Sequence, residues 1–103
     1  MVAELTSISE YNEAIKYSGL TVIDFFAVWC GPCKMISPVI EQLAASNKGA
    51  HFFKVDVDKT PDVSAEQDVT AMPTLMFYKD GQKVGTVVGA NLQKIKALVA
   101  QYA

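Results

Sequence analysis

Only two cysteines occur in the 103 residues, together with one histidine and one tryptophan. Two thiols cannot supply the several staples of a small secreted disulfide scaffold. Half of the residues are hydrophobic, which is enough to bury a core without staples, so the expectation is one domain over 1–103. No apolar run is long enough to cross a membrane, and the net charge of −2 comes from acids and bases mixed along the chain, with no basic block of the kind that grips nucleic acid. A glycine-rich phosphate loop is also missing, so no flavin or nicotinamide is expected to bind. Met1-Val2-Ala3-Glu4-Leu5 carries no basic region followed by an apolar run, so no secretory signal is expected, and the expected setting is a reducing, cytoplasmic one. Repeats, linkers and low-complexity segments are absent.

What the chain does have is concentrated in Trp29-Cys30-Gly31-Pro32-Cys33-Lys34, which holds both cysteines and the tryptophan. The preceding run, 20–27, is apolar and rich in β-branched and aromatic residues, the pattern of a buried strand. After it, Ile36, Val39, Ile40 and Leu43 recur at the spacing of one helix face. The thiols therefore sit where a strand gives way to a helix. Unpaired backbone N–H groups and the helix dipole favour negative charge there, here a thiolate on Cys30. Pro32 suits a first helical turn.

Three chemistries fit such a pair. A redox dithiol can open and close across one helical turn with little backbone motion. Half of a zinc site has the same spacing, but it needs two more ligands, and only His51 is left to offer one. Two structural core cysteines are the third reading, against which Gly31 and Pro32 speak, because that pair leaves the first sulfur uncovered.

Trp-Cys-Gly-Pro-Cys-Lys following Val22-Ile23-Asp24-Phe25-Phe26-Ala27 resembles the thioredoxin family, and the likeness extends along the whole chain. The remaining elements agree with it. Residues 2–5 suit a short strand. Ser7 and Glu10 form a capping box for a helix burying Ile8, Tyr11 and Ile15 and ending at Gly19. A helix over 32–47 contains Pro38, which should kink it. A strand over 51–58 precedes a helix capped by Thr60, with Pro61 at its first position, running to Asp68. Strands 74–78 and 83–88 flank the turn signal Asp80-Gly81, and Asn91 caps a last helix lined by Leu92, Ile95, Leu98, Val99 and Tyr102. Alternating strands and helices followed by a hairpin imply an α/β fold with a mixed sheet covered on both faces. The resemblance makes this the thioredoxin fold, five strands and four helices.

Asp24 is a lone carboxylate in an otherwise apolar central strand. Its burial should raise its pKa and fit it to act as a base for the thiol that must ionise second, unless the strand lies at an edge and Asp24 is solvated. The family has a buried aspartate at this position, with Lys54 as its counter-charge, although Lys54 by itself reads as a solvated strand-face lysine. By the same resemblance Pro73 is cis and faces the sulfurs, and Met72 pairs its backbone with a bound peptide. Methionine at 72 also adds an oxidisable group. Trp29, Gly31, Pro32, Met72, Pro73, Val88, Gly89 and Ala90 would form an apolar substrate-binding rim, with ordinary strand packing as an equal explanation for Val88. His51, Asp56, Asp58 and Tyr78 read as structural or surface residues.

The implied chemistry is thiol–disulfide exchange without a metal or bound cofactor. Cys30, exposed, attacks a target disulfide; Cys33, buried, resolves the mixed disulfide with help from Asp24, leaving a Cys30–Cys33 disulfide. The resemblance names thioredoxin reductase as the partner that brings electrons from NADPH, and disulfide-containing proteins as targets of a monomer. Two other functions remain: an oxidase or isomerase of the same fold, and a binding module within a larger assembly.

Overall fold

The structure, a computed structural model, describes residues 2–103. In chain order the elements are β1 (Ala3–Glu4), α1 (Ile8–Ala14), β2 (Leu20–Phe26), α2 (Gly31–Ser46), β3 (His51–Asp56), α3 (Pro61–Glu66), β4 (Thr74–Lys79), β5 (Gln82–Val88) and α4 (Leu92–Tyr102). The strands form one five-stranded mixed sheet, ordered β1-β3-β2-β4-β5. β1 and β2 each run parallel to β3, whereas β4 is antiparallel to both β2 and β5. β2 is thus the middle strand, in keeping with its mostly apolar run, and Leu20 to Phe25 are all buried.

Alternation along β2 divides the core. Leu20 and Val22 join Ile36, Ile40, Ile95 and Val99 on the face covered by α2 and α4. Ile23 and Phe25 join Tyr11, Val55 and Val63 on the face covered by α1 and α3. Each such large side chain contributes about 1.5–3 kcal/mol by leaving water. The same period places Asp24 on the α2 face, and β3 puts Lys54 directly beside it.

Local chemistry sets the boundaries. Ser7 Oγ accepts from the N–H of Glu10 at 3.1 Å, but the Glu10 carboxylate reaches past Ser7 to the N–H of Thr6 at 2.7 Å, which lowers its pKa. α1 stops at Ala14, well before Gly19, and the Thr21 hydroxyl donates to the Ala14 carbonyl, one of the acceptors left free at the helix end. Tyr17 leaves the helical path to stack on His51 with ring centroids 3.6 Å apart. β3 ends at Asp56, two residues early, since Asp56 Oδ1 turns back to accept the N–H groups of Asp58 and Lys59. α3 ends at Glu66 and not at Asp68, which sits at φ 56° and stops the helix. Thr60 precedes α3 without a side-chain cap; Asp62 Oδ1 accepts from the Val63 N–H instead. In the β4–β5 turn both Asp80 and Gly81 have positive φ, 54° and 75°, the geometry of a tight two-residue hairpin. Asn91 Oδ1 caps α4 on the N–H of Lys94 at 3.1 Å.

Candidate active site

The end of β2 and the start of α2 carry the cysteines. Cys30 is the N-cap residue of α2, with Sγ 3.2 Å from the N–H of Cys33, so a helix N-terminal donor points at that sulfur. Cys30 and Cys33 form a disulfide with Cα atoms 5.3 Å apart. Cys30 was expected to be exposed beside a buried Cys33. In this oxidised state the two are equally covered, at 5% and 4%. Phe26, Val57 and the partly buried Met72 pack against the cluster of Ala27, Cys30 and Cys33, and the Met72 carbonyl oxygen lies 3.7 Å from Cys30 Sγ. The Met72–Pro73 peptide bond is cis. Pro73 is tied to the end of β5 by the Gly89 N–H, which donates to its carbonyl at 2.8 Å. Gly89 has φ +94°, a conformation that side-chain-bearing residues rarely adopt, so glycine makes this junction possible.

The two sulfurs differ in what lies behind them. Cys33 lines a cavity of ≈220 Å³ together with Asp24, Lys34, Ser37, Lys54 and apolar groups of Phe26, Ala27 and Val28, and Cys30 does not line it. Asp24 Oδ1 is buried there without a hydrogen-bond partner. Burial pushes the Asp24 carboxyl up to about 7, with the positive charge of Lys54 opposing. Lys54 makes no close ion pair with Asp24. Its ammonium stands over the Phe26 ring, 5.6 Å from the centroid, which explains why it tempers the effect of burial without cancelling it.

Around the disulfide the surface is apolar. Among the described residues the exposed large hydrophobics are Val28, Trp29, Met35 and Val88, between 60% and 69% exposed. Val28 and Trp29 directly follow β2, Met35 lies early in α2, and Val88 ends β5. Gly31 and Pro32 are exposed beside Trp29, while Ala90 is partly taken up by packing against the main core. Val28 departs from the small or polar residue frequent before the family's tryptophan but was given no role, and Met35 escaped the sequence reading, although it falls off the buried stripe of α2 and an exposed apolar position was the available signal.

Asp58, read from the sequence as a structural or surface residue, also reaches the site. Its Oδ2 accepts the indole N–H of Trp29 at 2.8 Å. The signal was the parallel pairing of β2 with β3: Phe26 lies opposite Asp56, so residues just beyond both strand ends become neighbours. Asp58→Ala should free the indole. We expect unfolding stability to change by less than about 1 kcal/mol, because the bond is exposed. The KM for disulfide peptides should rise about threefold with kcat retained, read by steady-state kinetics; an unchanged KM would leave the bond without a part in docking.

His51 begins β3, at the end of the sheet remote from the cysteines, and stacks on Tyr17, so it does not complete a zinc site with them. Among the described residues no cluster of three His, Cys, Asp or Glu could hold a metal ion, and no helix is long and apolar enough to cross a membrane.

Residues 2–101 match the family model described as Thioredoxin. The chain is 52% identical over 101 residues to Thioredoxin-2 of Saccharomyces cerevisiae, covering 97% of each sequence. A thioredoxin structure from Plasmodium falciparum superposes with a TM-score of 0.93 at 41% identity, covering 99% of this chain and 100% of that one. Another superposes at 0.92 and 40% identity, covering 97% and 94%, and comes from work on the thiol resolving mechanism of a yeast mitochondrial 1-Cys peroxiredoxin via glutathione/thioredoxin systems. The chain belongs to the thioredoxin family, and Cys30–Cys33 is the dithiol–disulfide through which it acts as a protein-disulfide oxidoreductase.

Proposed function

We propose that the chain works as one domain that reduces target disulfides with Cys30 as nucleophile and Cys33 as resolving thiol, and that thioredoxin reductase, drawing on NADPH, reduces it again. The observation that carries this order is the asymmetry behind the sulfurs: Cys33 shares a cavity with Asp24, whereas Cys30 faces Met72 and receives a helix N-terminal N–H. A thiolate at Cys30 gains from that N–H and from the helix dipole. It attacks one sulfur of the target, expels the other as a thiolate and leaves a mixed disulfide. Cys33 then passes its proton to the Asp24 carboxylate across the cavity and attacks Cys30 Sγ, releasing reduced target. Lys54 supplies the positive charge that keeps the Asp24 pKa near neutrality and not far above it.

Target docking falls to the rim of Trp29, Gly31, Pro32, Met72, Pro73, Val88, Gly89 and Ala90. The target strand lies along Met72, whose backbone groups offer strand-like pairing. Peroxiredoxin disulfides are one class of target, in keeping with the setting of one structural relative. The protein acts as a cytoplasmic monomer, because a dithiol must be kept reduced to donate electrons.

The direct test is coupled turnover. NADPH should be consumed only when reductase, this protein and a disulfide peptide are all present. A reductase that fails to reduce Cys30–Cys33 would overturn the electron source, whereas chemical reduction by dithiothreitol would still reveal the exchange chemistry.

A further inference from the structure

We propose that Met72 is a modification site: a hydroperoxide converts its thioether to the sulfoxide and thereby shuts the target-docking groove. The methionines inside the described residues are not equivalent. Met76 is 4% exposed, in the core beside the hydroxyls of Tyr11 and Tyr78, each 3.8 Å from its sulfur. Met35 is 69% exposed and solvated. Met72 alone is partly exposed and also packed against the cluster that holds the redox pair.

In the oxidised protein both cysteines are already joined, so Met72 is the oxidisable sulfur left in contact with the site. A sulfur lone pair of Met72 attacks the outer oxygen of a hydroperoxide. The O–O bond breaks, one oxygen stays on sulfur, and the rest departs as water or an alcohol. The thioether loses two electrons and the peroxide gains them. The product carries a strongly polar S=O where a flexible apolar group had lain.

The buried side chains it packs against offer that oxygen nothing: those of Ala27 and of the disulfide-bonded Cys30 and Cys33 carry no donor, and the Cys33 N–H is taken by Cys30 Sγ. A sulfoxide left in place is a polar group without a hydrogen bond, so the side chain must turn outward to water. Outward from the disulfide is the apolar rim described above, where a target strand would lie. This part of the proposal rests on the docking role given to Met72 above. The lesion is reversible, because sulfoxide reductases of the two epimer specificities regenerate the thioether.

The test uses the full chain in its disulfide form, treated with hydrogen peroxide and then cleared with catalase. Peptide mass spectrometry reads sulfoxide at Met35 and Met72, and reduction of a disulfide peptide with dithiothreitol as electron source reads function. The untreated protein is assayed first, and failure at that point would count against the docking and exchange reading, not against this one. We expect kcat/KM to fall about tenfold in proportion to sulfoxide at Met72. Met35→Leu should lose the same fraction on treatment, whereas Met72→Leu should keep its own untreated rate. Incubation with both sulfoxide reductases should restore the parent. No sulfoxide at Met72 while Met35 is converted would overturn the proposal. So would sulfoxide at Met72 without loss of rate, or an equal loss in Met72→Leu.

Discussion

Cys30→Ser should reduce no disulfides above the buffer background, while Cys33→Ser should accumulate as a covalent adduct with its targets. The difference follows from where each sulfur sits. Cys30 caps α2 with a backbone N–H aimed at it and lies against the Met72 carbonyl, on the target side. A serine hydroxyl there has the same donor but remains protonated and is no nucleophile toward sulfur, so the first step is lost. Removing Cys33 leaves that step intact and removes the second. In the parent the resolving attack is intramolecular across 5.3 Å of Cα separation, with an effective concentration on the order of 10⁵ M or more if well oriented. No free thiol in solution approaches that, so the mixed disulfide outlives the assay. Non-reducing electrophoresis and intact-mass spectrometry of Cys33→Ser after incubation with a disulfide peptide read the adduct directly. Adducts on Cys33 in Cys30→Ser, and none in Cys33→Ser, would reverse the order of attack. A protein whose binding to partners survives loss of both thiols, with no exchange in the parent, would be a docking module and not a reductase.

Much of this was legible in the sequence because periodicity and capping chemistry are local. The mostly apolar run of β2 announced a strand buried on both faces, and β2 is the middle strand, so Asp24 is not at a solvated edge. Asp80-Gly81 and Asn91 gave the hairpin and the last helix because turn and cap residues act within a few positions. The order of strands came from family resemblance, since nothing local tells β3 to pair with both β1 and β2. Contacts that cross between elements were the ones lost. Tyr17 shortens α1 by stacking on a residue of β3, and Asp58 finds Trp29 only after two strands align. The equal burial of the two cysteines was missed for the same reason: Met72 packs against their cluster from 42 residues beyond Cys30. Lys54 lies opposite Asp24 in the strand register, but its ammonium rests on Phe26, a side-chain choice that register does not settle.

Asp24→Asn should stabilise the protein at neutral and alkaline pH and slow its resolving step. Burial raises the Asp24 pKa from its ordinary value of 3.8 to about 7 in the folded state. The unfolded chain gives up this proton near pH 4, whereas the folded protein holds it to about pH 7. Between those values the unfolded state binds fewer protons, so unfolding free energy falls as pH rises, by up to about 1.4 kcal/mol per pH unit. Below pH 4 both states are protonated and Asp24 imposes no charge penalty. Above pH 7 both are ionised and the full penalty applies, on the order of 4 kcal/mol for a carboxylate whose Oδ1 has no partner. Asparagine keeps the shape and cannot ionise. Whatever its amide costs in that cavity is the same at every pH, so the part of the difference that changes with pH belongs to ionisation alone. Denaturant unfolding of both disulfide forms at pH 4, 6 and 8 should show a gap that widens in favour of the variant and levels off above pH 7. A gap independent of pH would mean that Asp24 ionises in the folded protein as it does in water. The catalytic readout is separate: single-turnover release of reduced peptide should lose its inflection near pH 7 in Asp24→Asn, while formation of the mixed disulfide, which uses Cys30, keeps its own profile. Stabilisation together with an intact pH profile for release would leave Asp24 as a buried carboxylate that burdens the fold and has no part in moving the Cys33 proton.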